Sequence, residues 1–188
     1  MGKFFLHRYM LGLLALFLTA APALGQTPAP PSSPAPQAEA PAKPRCGPDH
    51  AIIYKRAVKL LDDAEKKLNA RYVAEAKSLA KEANSLFTIL HKECGQEQKD
   101  RPLSEAELQQ ESMNQKLHAD EFAQAERLEK SAQEKLKKSD QVEAAQPELA
   151  VKLAREAKAE LELAHRRYIK AEIYVLRNQQ MNFRWIAR

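Results

Sequence analysis

The sequence predicts an all-α protein made of two antiparallel helical hairpins, an elongated bundle or coiled-coil-like pair. Three observations predict this. After residue 48 the only glycine is Gly95 and the only prolines are Pro102 and Pro147. Ala, Glu, Lys, Leu and Gln, all strong helix formers, fill most of the rest. No segment alternates apolar and polar residues with a period of two, whereas four stretches repeat apolar residues every three or four positions.

The elements follow in chain order. Lys3 and Arg8 precede an uncharged, leucine-rich run from Met10 to Ala20, and Ala23-Leu24-Gly25 supplies small residues before Gln26. This is the pattern of a cleaved secretory signal peptide over residues 1–25. The apolar run is well short of the roughly 20 residues a spanning helix requires. Gln26 stands where a lipoprotein would carry cysteine, which argues against a lipid anchor. Residues 26–45, QTPAPPSSPAPQAEAPAKPR, are rich in proline and alanine and contain no large apolar side chain. Such a segment buries too little surface to offset its ordering entropy, and it is expected to be a semi-rigid, disordered tether.

The first hairpin is expected over residues 46–102. Its first helix runs from about Asp49 to Leu68, with Ile53, Ala57, Leu60, Leu61, Ala64 and Leu68 on one face. The second runs from about Val73 to Cys94, with Ala76, Leu79, Ala80, Ala83, Phe87 and Leu90 facing in and Gly95 as C-cap. The second hairpin is expected over residues 103–188. Ser104 and Glu107 form an S-x-x-E capping box for the third helix, which reaches about Lys138 through Leu117, Phe122, Ala125, Leu128, Ala132 and Leu136. Pro147 suits the first turn of the fourth, which carries Ala150, Val151, Ala154, Ala157, Leu161, Ala164 and Tyr168 toward Arg177.

The two hairpins match each other. Ala57, Leu60, Ala64 and Leu68 have the spacing of Ala125, Leu128, Ala132 and Leu136. AKSLAKEANSLF (76–87) aligns with AVKLAREAKAEL (150–161) after six extra residues in the second turn. The pattern predicts an internal duplication. The motif A-x-x-L-A-[KR]-E-A on the second helix of a hairpin resembles the alanine-rich helical hairpins of a domain of unknown function found in bacterial envelope proteins. It is similar, more loosely, to tetratricopeptide-type repeats through the spacing of Ala76, Ala80 and Ala83. The glycine, tryptophan and proline of that repeat are missing. The resemblance implies an envelope module that contacts partners and carries no catalytic residues.

The two cysteines, Cys46 and Cys94, are the only ones in the chain. A turn centred near Ala70 sets Cys46 level with Cys94 and His50 level with His91, all at the open end of the first hairpin. Cys46, His50, His91 and Cys94 make up a tetrahedral zinc set in composition. The preferred expectation is instead a Cys46–Cys94 disulfide, because exported chains meet oxidising conditions. Cys46 precedes the helix and Pro48, so it can fold inward to close the gap between packed helices. His118 and His165 form a second, roughly level pair, read as solvated. Asp62-Asp63 and Asp120-Glu121 are adjacent acids on helices and are also read as solvated.

The net charge is +5, and Lys3 and Arg8 carry two of these charges, leaving +3 after residue 25. Charges of both signs alternate along the helices, so nucleic acid is not an expected partner. The last 24 residues differ: six arginines or lysines face one acid, Glu172, and the chain's only tryptophan lies among them. Tyr168, Ile173 and Leu176 are expected to pack on the third helix. Beyond them, Arg177, Phe183, Arg184, Trp185, Ile186 and Arg188 are expected to overhang the hairpin and dock a partner or a membrane surface.

There is no Gly-rich phosphate loop, no G-x-S-x-G and no H-E-x-x-H. The expected function is therefore non-catalytic and needs no cofactor: an adaptor or scaffold of the cell envelope, periplasmic or extracellular. Its partner would be an envelope protein or an anionic envelope polymer, with peripheral membrane contact or self-association as further options. A periplasmic chaperone or holdase is the alternative, and a metal-binding or metal-sensing bundle the third reading.

Overall fold

The computed structural model describes residues 46–187. The expected signal peptide, the tether and Arg188 lie outside them. Four helices follow in order, α1 (Pro48–Asn69), α2 (Val73–Lys99), α3 (Glu105–Val142) and α4 (Pro147–Phe183). A short 3-10 turn, Arg184–Ala187, follows α4. There is no strand among the described residues. α1 and α2 form one antiparallel hairpin, α3 and α4 the other.

Local chemistry sets the helix ends. At the start of α1, Pro48 occupies the first turn, and the Gly47 N–H donates to His50 Nδ1 at 3.1 Å. The α1–α2 turn is a Schellman motif: Tyr72 N–H donates to the Lys67 carbonyl at 2.9 Å and Arg71 N–H to the Leu68 carbonyl at 3.1 Å. Arg71 takes the left-handed position with φ of 68°, where glycine is the usual resident. α3 opens on the expected capping box. Ser104 N–H donates to Glu107 Oε2 at 2.9 Å, and Glu107 N–H donates back to Ser104 Oγ at 3.4 Å.

α2 does not stop at Gly95. It continues in regular helix to Lys99, and Gly95 has no positive φ. The extra turn has a tertiary reason: Glu97 Oε1 accepts a hydrogen bond from the Cys46 N–H at 2.9 Å.

Both hairpins bury alanine in their seams. Ala57, Ala64, Ala76 and Ala83 are fully buried in the first, Ala125, Ala132 and Ala157 in the second. Small side chains let two helices approach closely and leave larger neighbours on the flanks. In α3 this corrects the sequence expectation. The buried residues are Asn114, Glu121, Ala125, Ala132 and Ser139. Phe122 and Leu136, expected to face in, are 41% and 38% exposed, and Val151, placed on the same kind of stripe in α4, is 50% exposed. Asn114 Nδ2 donates to Asn178 Oδ1 at 2.7 Å, and Ser139 Oγ donates to the Ala150 carbonyl at 2.8 Å, so these seam polar groups are satisfied.

The hairpins pack together through α4. Its C-terminal half sends Ile169, Ile173, Leu176 and Phe183 into a core built by Tyr54, Leu61, Leu68, Phe87 and Leu90 of α1 and α2. α3 packs on α4 and on no other described helix. One end of the molecule is thus a three-helix core of α1, α2 and α4. The arm formed by α3 from about Phe122 onward and the N-terminal half of α4 has only the seam between its own two helices.

Candidate functional site

The open end of the first hairpin is closed by a Cys46–Cys94 disulfide, with the Cα atoms 5.5 Å apart. Cys94 is completely buried and Cys46 partly so. Among the described residues, the sulfurs of both cysteines and a ring nitrogen of His50 all lie within 4.8 Å of one another. Three of the four expected metal-ligating residues therefore converge.

His91 does not join them. It is exposed, and its ring lies edge-on to Phe183 with centroids 6.1 Å apart. The turn geometry put it level with His50, but being level on a helix does not set the face. His50 is instead joined by an acid that sequence reasoning missed: its Nε2 lies 2.9 Å from Glu93 Oε2. Because the Gly47 N–H donates to Nδ1, that nitrogen carries the lone pair, and Nε2–H is the donor to Glu93. Glu93 precedes Cys94, which was its only signal on a helix that also carries Glu75, Glu82 and Glu97.

The basic aromatic tail is not an overhang. Phe183 is 2% exposed, and Trp185 and Ile186 pack against the first hairpin's core. The Arg101 guanidinium sits 4.3 Å from the Trp185 ring centroid. Arg177 Nη1 lies 2.9 Å from Asp62, and the same guanidinium reaches Glu65. Arg184 pairs with Glu107. The Tyr54 hydroxyl donates to the Gln180 carbonyl at 3.1 Å. The expectation that these side chains lack a cover was wrong because it considered α3 as the only cover; α1 and α2 supply it. Asp62 is likewise an ion-pair partner of Arg177 rather than a solvated acid.

Glu121 is a second departure. Its side chain is 10% exposed, held by Arg167 at 2.6 Å and Lys170 at 2.7 Å. Burial alone would raise its carboxyl pKa, but the hydrogen bonds and charges of Lys170 and Arg167 outweigh that, and the net shift is downward. Its neighbour Asp120 is exposed, as expected.

Where the α1–α2 turn faces α4 lies an open cleft of ≈ 890 Å³, lined in part by Arg71, Lys77, Glu129, His165, Arg166 and Tyr168. The Tyr168 hydroxyl donates to Glu129 at 2.8 Å. That hydrogen bond first, and burial second, push its pKa up to about 12. His165 lines this cleft, whereas His118 Nδ1 pairs with the Ala171 carbonyl at 3.1 Å; the two histidines make no site together.

No protein-family model matches this chain, and no curated protein or solved structure was found to be similar to it.

Proposed function

We propose that the protein is an exported, non-catalytic interaction protein of the cell envelope, an adaptor or scaffold. The observation that supports this is the arm. Its seam is largely alanine, and several of its larger apolar residues stand on the outside: Phe122 is 41% exposed, Leu136 38%, Val151 50% and Leu163 39%. Several such residues on one slender hairpin fit a surface that a protein partner covers. The reading moves the contact surface from the tail to the arm, since Phe183 and Arg177 are engaged inside the molecule.

Export rests on the N-terminal signal pattern, and a disulfide is consistent with an oxidising compartment. No helix among the described residues is long and apolar enough to cross a membrane. The repeated alanine spacing is read as a duplication of one hairpin, the second copy having lengthened into the arm. The resemblance to envelope helical hairpins belongs to the same reading.

In-cell photo-crosslinking tests it. A photoreactive residue at Phe122, Leu136 or Val151 should capture one or a few envelope proteins, and the same residue at exposed Lys55 on α1 should not. Adducts from Lys55 alone, or none at all, would refute the adaptor. Adducts with many unrelated proteins, together with suppression of aggregation in vitro, would favour the holdase, which the same exposed apolar arm could serve.

A further inference from the structure

We propose that the hairpin closure is also a zinc site in its reduced form, with Cys46, Cys94 and His50 as ligands and Glu93 fixing the histidine. The disulfide uses two of the three side chains that the metal would bind, so the two states exclude each other. This inference does not depend on the adaptor reading.

The geometry supports it in three ways. First, the two sulfurs and the imidazole nitrogen already lie within 4.8 Å of one another. Zinc bonds of ~2.3 Å to sulfur and ~2.0 Å to nitrogen place tetrahedral ligands between three and four ångströms apart, so small shifts suffice once the sulfurs part. Cys46 precedes α1 and is free of helical constraint, so it can make that shift.

Second, the imidazole is already oriented as a ligand. Nε2–H donates to Glu93 Oε2 at 2.9 Å, which leaves the Nδ1 lone pair directed at the Gly47 amide, one residue from Cys46. A carboxylate holding the far N–H of a metal-bound histidine is the usual outer support of such sites. Metal at Nδ1 displaces a single hydrogen bond, the one from Gly47. Third, Glu97 Oε1 accepts from the Cys46 N–H at 2.9 Å, so a hydrogen bond across the open end holds the backbone that carries the Cys46 sulfur beside α2. Two thiolates with an imidazole favour zinc over hard cations.

The chemistry balances as follows. A dithiol reductant transfers two electrons and two protons to the Cys46–Cys94 bond, giving two thiols and the oxidised reductant. Zinc then binds both sulfurs as thiolates and releases two protons. A disulfide oxidant reverses this: it takes up two electrons and two protons as two thiols, the Cys46–Cys94 bond re-forms, and zinc leaves.

The test uses the full chain, reduced under anaerobic conditions and titrated with zinc against a chromophoric chelator. Cobalt serves as the spectroscopic probe. The reduced protein should bind one equivalent and show thiolate-to-cobalt charge transfer with tetrahedral d–d bands. The oxidised protein should show neither. His50→Ala should weaken binding at least about 100-fold, and Glu93→Gln about tenfold, as expected for loss of a ligand and of its outer support. His91→Ala should leave binding unchanged. Circular dichroism reports whether each reduced variant keeps its helices. A reduced, helical wild type that binds no metal overturns the proposal, as does a reduced wild type that unfolds and stays unfolded with zinc. Equal losses in His50→Ala and His91→Ala, or cobalt spectra unaltered by His50→Ala, overturn it too.

Discussion

Replacing Phe183 with alanine should destabilise the protein by about 4 kcal/mol, the middle of the range for emptying a buried phenylalanine site. The ring is 2% exposed and belongs to the core that α4 shares with α1 and α2. Burial of ~200 Å² at ~25 cal/mol per Å² gives ~5 kcal/mol as an upper figure for the same side chain. A domain of this size has a total stability on the order of 5–15 kcal/mol, so the loss is a large share. Urea denaturation followed by helical circular dichroism measures it. With a slope of roughly 2 kcal/mol per molar, the midpoint should fall by about 2 M. Trp185→Ala should cost less, about 1–2 kcal/mol, because the indole is only partly covered and its Arg101 stack is a surface cation–π contact. If Phe183→Ala leaves the midpoint within a few tenths molar of wild type, the tail does not pack as described. If it does so while abolishing partner capture, the tail is a docking element after all.

Three further outcomes can be checked. Cys46→Ser with Cys94→Ser, measured with a chelator present, should lose about 4 kcal/mol, the chain-entropy value for a 48-residue separation; a loss under about 1 kcal/mol would show that the closure contributes little. Glu121→Gln should cost about 2 kcal/mol at pH 7, since it weakens hydrogen bonds to two cations around a largely buried carboxylate. Because the folded pKa of Glu121 is lowered, its stabilisation is present above the ordinary 4.5 and fades as pH falls through the folded value; a wild-type advantage that stays flat into acid would contradict the pairing. Tyr168 should ionise near pH 12 in an ultraviolet titration, and Glu129→Gln should bring that step back toward 10. A raised folded pKa means that this contribution is whole below pH 10 and is lost as pH climbs toward 12. An unchanged alkaline titration in Tyr168→Phe would refute it.

Helix positions were legible because they depend on local chemistry. The Ser104–Glu107 box, Pro147 in a first turn and the alanine spacing act within a few residues, and each does in the structure what its residues imply. The Cys46–Cys94 pairing was legible for a related reason, since one short turn sets the register of both helices. Gly95 misled because a glycine is a stop signal only when nothing holds the next turn, and Glu97 on the Cys46 amide holds it. Phe122 and Leu136 misled because hydrophobic spacing assumes that large apolar residues fill a seam, whereas the α3 side of the seam buries Asn114, Glu121, Ala125, Ala132 and Ser139.

The candidate site was half visible. Cys46, His50 and Cys94 converge as their register implies, and His91 and Glu93 exchange roles. Those two residues lie on the same helix two positions apart, so their directions differ by roughly 200° at 3.6 residues per turn. Which of them faces His50 depends on the rotation of α2 about its own axis, and a pattern of apolar residues sets that only coarsely.

By itself the sequence determined the helices, their pairing into two hairpins and the cysteine pair at the open end. These follow from interactions a few residues apart, or from one short turn. Only the tertiary structure decided that α4 joins both hairpins, that Phe183 and Arg177 face inward and that Glu121 is an internal anion. Those outcomes depend on contacts between residues more than forty positions apart. A side chain such as Arg177, charged and near the end of a basic tail, reads alike whether its partner is another molecule or Asp62 of its own chain. Packing α4 against α1 is what brings Asp62 within reach and settles the difference.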